Sequence, residues 1–110
     1  MTKVLFLVMS GDEKVQLAIR MAYNSIKNKR YEDLKLLFFG PSQMYITKLE
    51  GEPRQYLTEL IQNHAVDSAC VGIANSMNIK DKLESMGLRL EPAGERVSLY
   101  VNQGYEVITF

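Results

Sequence analysis

Short apolar runs with strand-like composition alternate along this 110-residue chain with stretches of helical periodicity, and that alternation constrains the fold more than any other feature. Val4-Leu5-Phe6-Leu7-Val8-Met9 is continuously apolar, as expected of a strand covered on both faces. Ser10 and Glu13 then have the spacing of a capping box, and Val15, Ala18, Ile19, Ala22, Tyr23 and Ile26 recur at helical spacing up to Asn28–Arg30. Leu34 to Phe39 is a second apolar run, closed by Gly40-Pro41. Ser42 is placed to cap a short helix carrying Tyr45, Ile46 and Leu49. Pro53 suits the first turn of the next helix, whose stripe is Leu57, Leu60, Ile61 and His64.

Val66 to Val71 is the third strand, followed by a short helical stretch, a second one around Ile79 to Met86, and Gly87 as a stop. Leu88 to Leu90 is a brief fourth strand. Gly94 to Gln103 is a helix with Val97, Tyr100 and Val101 inward, and Tyr105 to Phe110 is the last strand. Five strands separated by helices predict one α/β domain over residues 1–110, a three-layer α/β/α sandwich with a mostly parallel five-stranded sheet. Tyr45, Ile46, Tyr56 and Tyr100 exceed what so small a core is expected to cover, which predicts an exposed apolar face.

Charge excludes some functions. Thirteen basic residues balance thirteen acidic ones, which gives no electrostatic case for nucleic acid or an anionic membrane. The six tyrosines form no basic-aromatic patch for single strands. The first apolar run is too short for a signal-peptide core or a membrane span, and with one cysteine in the chain this points to the cytoplasm. A single Cys and a single His predict neither a CxxC redox centre nor a zinc site.

In an open parallel sheet, ligands bind at the carboxyl edge. The loops predicted there hold Ser10-Gly11-Asp12, Gly40-Pro41-Ser42, Cys70-Val71-Gly72 and Pro92-Ala93-Gly94. Ser10, Gly11, Gly40, Gly72, Asn75 and Gly94 are the candidate ligand-binding residues. Ser10-Gly11-Asp12 lacks the patterns of a phosphate loop or a dinucleotide fold and is as consistent with helix capping. Cys70, the only thiol, closes a strand just before a helix, where an anionic sulfur is favoured and a nucleophile can face a ligand. A lone Cys is equally at home as a small buried hydrophobe. His64 ends a helix that precedes the same strand, so it belongs at the opposite edge and predicts no Cys-His pair.

The segment Ala69-Cys70-Val71-Gly72-Ile73-Ala74-Asn75-Ser76-Met77-Asn78 resembles the active-site segment of the DsrE/DsrF-like sulfur-relay family, which includes TusD-type subunits. Phe38-Phe39-Gly40-Pro41 is similar to that family's second strand and loop. Leu88 to Gly94 resembles its short strand and Pro-Ala/Ser-Gly turn, and Val97 to Ile108 its closing helix and strand. Asn78 stands where the family often has Gly, and Asn is the next best residue for a left-handed helix terminator. Asn75, Ser76 and Met77 stand where many relatives carry basic residues. The resemblance implies a DsrE-like domain of flavodoxin-like layering that self-associates, often as a homotrimer or homohexamer. It also implies that Cys70 accepts sulfur as a persulfide and relays it as a sulfur carrier or sulfurtransferase. No cofactor is implied, and the partners would be a sulfur donor and an acceptor protein. The alternative is a non-catalytic oligomeric module that binds a small ligand or another protein, with Cys70 incidental.

Overall fold

The computed structural model describes residues 1–110. In chain order the elements are β1 (Lys3–Val8), α1 (Lys14–Lys27), β2 (Asp33–Phe38), α2 (Ser42–Thr47), α3 (Gly51–Gln62) and β3 (Val66–Cys70). Then follow α4 (Val71–Ser76), α5 (Lys80–Ser85), β4 (Leu90–Glu91), α6 (Ala93–Asn102) and β5 (Glu106–Thr109). The strands form one sheet in the order β4-β3-β2-β1-β5, and every neighbouring pair is parallel. Helices lie on both faces. The fold is therefore the predicted three-layer α/β/α sandwich, with a sheet that is wholly parallel.

The two layers of packing are unequal. Val4, Phe6 and Val8 of β1, with Leu34, Leu36 and Phe38 of β2, face α1, α2 and α3 in a main core of 20 buried residues. Leu5 and Leu37 point to the other face and join Cys70, Ala93 and Tyr100 in a second cluster of only five. This two-sided burial explains the unbroken apolar run of β1. Only α6 crosses the second face, and all four residues of β5 are exposed. Ile46, counted among the residues in excess of the core, is instead buried in the first cluster, and Tyr100, counted with it but also expected inward on its helix, is buried in the second.

Local chemistry differs from the expected pattern at several places. The Ser10–Glu13 capping box does not form. Glu13 is already helical (φ −62°, ψ −12°), and the Asp12 carboxylate accepts from the Lys14 amide at 3.0 Å instead. Ser42 lies inside α2, where its hydroxyl donates to the Val8 carbonyl at 2.7 Å. The fourth strand starts at Leu90 because the Leu88 amide is used to close α5 on the Leu83 carbonyl. Val101, expected inward, is 50 % exposed: α6 rests on the sheet along Ala93, Val97 and Tyr100, and Val101 falls on its flank. His64 does end its helix, in the left-handed conformation (φ 61°) at the amino edge, and Asn78 takes the same conformation (φ 58°) as its turn requires.

Candidate functional site at the carboxyl edge

The connections after β1, β2 and β3 lead to helices whose buried residues (Val15, Ile46, Ala74) belong to the main core, whereas β4 leads to α6 on the opposite face. β3 and β4 are neighbours, with Cys70 paired to Glu91. Their chains therefore part to opposite sides of the sheet just beyond Cys70. That is a topological switch point, the place where open parallel sheets leave a crevice at the carboxyl ends of the strands.

Cys70 is the last residue of β3, in extended conformation (φ −69°, ψ 124°), and caps α4 with its backbone. Its carbonyl accepts from Gln43 Nε2 at 3.0 Å, while Gln43 Oε1 accepts from the Gly40 amide at 3.0 Å. Gln43 is wholly buried and so ties the ends of β2 and β3 together. Sequence reasoning missed it, because a Gln in a short polar helix carries no local sign of burial. The Cys70 side chain packs in the second cluster with Leu37, Ala93 and Tyr100, leaving the residue 8 % exposed. The first turn of α6 thus lies over the thiol.

The predicted ligand residues divide into two groups. Gly72 and Gly94 stand in the first turns of α4 and α6, beside Cys70, and a Cβ at either would meet nothing within 4 Å. Asn75 is exposed on α4. Ser10, Gly11 and Gly40 gather instead where the β1 and β2 loops meet. Their backbone is engaged there: the Ser10 amide donates to the Phe110 carbonyl at 3.2 Å and the Gly40 amide to Gln43. Gly40 is buried at φ 99°, a conformation that costs a residue with a Cβ. A Cβ on Gly11 would stand 2.7 Å from Pro41 Cβ, so this glycine permits close packing of the two loops.

His64 is exposed at the amino edge, as expected, and its carbonyl accepts from Lys35 Nζ at 2.9 Å. A cavity of about 610 Å³ also opens at that edge, among Tyr23, Lys27, Lys29 and Glu59. A smaller one of about 370 Å³ lies between Gly11, Pro41, Met44, Tyr45, Lys48 and Met77. No cluster of three His, Cys, Asp or Glu side chains is arranged to hold a metal ion, and no helix is long and apolar enough to cross a membrane.

Beneath the middle of α6 lies a polar network that sequence reasoning also missed. β3 shifts register against β2, with Leu36 opposite Val66 and Leu37 opposite Ser68, so Asp67 is an extra bulged residue. Its carboxylate accepts from Arg96 Nε at 3.0 Å, Arg96 Nη2 at 2.7 Å, the Tyr100 hydroxyl at 2.7 Å and the Ser68 hydroxyl at 2.8 Å. Burial acts to raise the Asp67 pKa, but the hydrogen bonds from Arg96, Tyr100 and Ser68 and the Arg96 charge outweigh it and hold the carboxyl below its usual range. Burial and the bond to Asp67 push the Tyr100 phenol up. Tyr105, edge-on to Tyr100 at 4.8 Å, donates to Asp33, and burial followed by that bond raises its pKa to about 12. The sequence signal was a charged Asp in a strand predicted to be covered on both faces, which demands a partner.

Fold and edge together define a parallel α/β domain with one thiol at its switch point. No protein-family model matches the chain, and no curated protein does. A solved structure of a conserved protein of unknown function from Bacteroides thetaiotaomicron is similar over 98 % of this chain and 95 % of that one, with a TM-score of 0.80 and 14 % sequence identity. At that identity the likeness bears on the fold.

Proposed function

We propose that this chain is a small DsrE/DsrF-like sulfur carrier, in which Cys70 takes up sulfur as a persulfide and relays it to a partner protein. The observation that supports the reading is the position of Cys70. It ends β3 at the switch point, between the first turns of α4 and α6, where Gly72 and Gly94 place no side chain in the approach. In the reaction, the Cys70 thiolate attacks the outer sulfur of a donor persulfide. The donor S–S bond breaks as the Cys70 S–S bond forms, and the donor leaves as a thiolate, with no net oxidation. An acceptor thiolate then repeats the exchange on Cys70. The chain has one cysteine, so release is completed by the partner's thiol and needs no cofactor. In this reading the protein works in the cytoplasm, self-associated as a trimer or hexamer, between a donor and an acceptor protein.

Intact mass after incubation with a polysulfide donor tests the chemistry. Wild type is expected to gain one sulfur atom and Cys70→Ser none. Equal mass gain in both, or none in either, refutes the carrier.

The burial of Cys70 favours a second reading, a non-catalytic oligomeric module that binds a small ligand or another protein, with the thiol as packing. The rate of Cys70 alkylation across pH separates the two. A thiol that reacts only as fast as the protein unfolds supports the module.

A further inference from the structure

The chain has eight exposed large hydrophobic side chains, and five of them (Leu17, Met21, Val101, Val107 and Ile108) border the β5 edge of the sheet. Gln16, Arg20 and Tyr23 of α1 contact Tyr45, Glu52 and Tyr56, which fixes the flank that faces α2 and α3. Leu17 and Met21 lie on the opposite flank, above β5. On the other face Arg96 reaches from α6 towards β3, so Val101 lies on the flank directed towards β5. β5 itself pairs only with β1 and carries neither Lys nor Pro, the residues that usually guard a free edge.

The backbone of that edge is self-complementary. The Phe110 amide donates to the Leu7 carbonyl at 2.9 Å and the Phe110 carbonyl accepts from the Met9 amide at 2.8 Å. By alternation Ile108 also turns its backbone to β1, and Val107 and Thr109 turn theirs to solvent. An antiparallel copy centred on Ile108 sets Val107 against the partner's Thr109 in hydrogen-bonded pairs. It also sets Ile108 against the partner's Ile108 at the close, non-bonded spacing. Glu106 then faces the partner's Phe110, so no like charges meet. Glu106 shares a face with Ile108, the face that α1 covers, and the two-fold carries it towards the carboxyl end of the partner's sheet. Lys14 opens α1 at that end, and neither Glu106 nor Lys14 has an ion-pair partner within the chain.

We infer that a second copy of this chain pairs with β5 about a two-fold axis, extending the sheet across two subunits and burying Leu17, Met21 and Val101 on its two faces. A stable interface covers roughly 800 Å² per partner, more than a four-residue strand pair supplies, and the helix flanks widen the contact. This two-fold does not rest on the sulfur chemistry; of the two assemblies named for the carrier it agrees with a hexamer built of two trimers and not with a lone trimer.

Light scattering after gel filtration tests it with three variants. Thr109→Pro removes an amide that faces solvent in the single chain, so the internal ladder survives while edge pairing is blocked. Ile108→Lys puts like charges at the two-fold. Met21→Lys alters only the exposed α1 flank and serves if a strand variant fails to fold by circular dichroism. Wild type is expected at twice the 12.6 kDa chain mass, or at an even multiple, and the folded variants at half the wild-type mass. A monomeric wild type, an odd-numbered assembly, or a mass unchanged by every folded variant overturns the inference.

Discussion

Removing the Asp67 carboxylate probes the attachment of α6, because α6 is the only helix on the second face of the sheet. In Asp67→Ala the partners respond differently. The Arg96 side chain is 25 % exposed and can turn its guanidinium to water. The hydroxyls of Tyr100 and Ser68 are buried and lose their acceptor. Each stranded donor costs about 1–3 kcal/mol, and partial relaxation at Ser68 sets the expected loss at about 3 kcal/mol. With an unfolding entropy of about 2.1 cal/mol/K per residue, that loss lowers Tm by roughly 13 °C. Urea unfolding followed by circular dichroism gives the free energy directly. Tyr100→Phe removes one of the stranded donors, so Asp67→Ala/Tyr100→Phe is expected to be more stable than the sum of the single changes by about 1 kcal/mol or more. A loss below about 1 kcal/mol in Asp67→Ala, or strict additivity in the double variant, refutes the reasoning.

Other consequences are open to the same measurements. The pKa of Asp67 is depressed in the folded protein, so its stabilisation is fully present above the ordinary carboxylate range and disappears as pH falls through the lower folded value. The urea midpoint of wild type should therefore fall more steeply than that of Asp67→Asn between neutral pH and about pH 2. Gly11→Ala forces a Cβ against Pro41 and is expected to cost about 1–3 kcal/mol in the same assay. Gln43→Leu leaves the Gly40 amide and the Cys70 carbonyl without their buried partner. It should cost about 2–4 kcal/mol and speed Cys70 alkylation, whereas a change confined to stability would dissociate the Gln43 clamp from the site.

The sheet was readable because its central strands are buried on both sides. Val4 to Met9 is apolar throughout and only Lys35 interrupts Leu34 to Phe39, and of the α1 stripe Val15, Ala18, Ile19 and Ala22 are buried as their spacing demands, Tyr23 is half-buried and Ile26 is exposed. Chain direction alone sent His64 and Cys70 to opposite edges. Helix starts were less legible, because several polar side chains compete for the same amides: Asp12 lies nearer the Lys14 amide than Ser10 does. Val101 follows Val97 by four residues, and periodicity cannot show that α6 touches the sheet along so narrow a line. Arg96 and Tyr100 lie 29 and 33 residues beyond Asp67, and the bulge that aims its carboxylate depends on pairing between β2 and β3. Such contacts exist only after the fold has formed, so no local pattern announces them.

How Cys70 becomes reachable follows from where α6 is held. Arg96 and Tyr100 fasten its middle and later turns to Asp67, but its first turn has Pro92 as N-cap, no side-chain cap bond, and Gly94 at its second position. Ala93, which packs with Cys70, belongs to that weakly held turn. Exposure of the thiol should therefore proceed by lifting of residues 93–95 while the rest of the helix stays docked. If the whole helix had to leave, the loss of about 3 kcal/mol in Asp67→Ala would raise the alkylation rate by roughly 100-fold, at tenfold per 1.4 kcal/mol. Lifting of the first turn alone predicts a rise of less than about tenfold. Gly94→Ala meets no obstruction and favours the helical turn by up to about 1 kcal/mol, so it should slow alkylation by roughly fivefold. A 100-fold acceleration in Asp67→Ala together with no change in Gly94→Ala would show that α6 leaves as a unit and that the Asp67 network, rather than the first turn, guards Cys70.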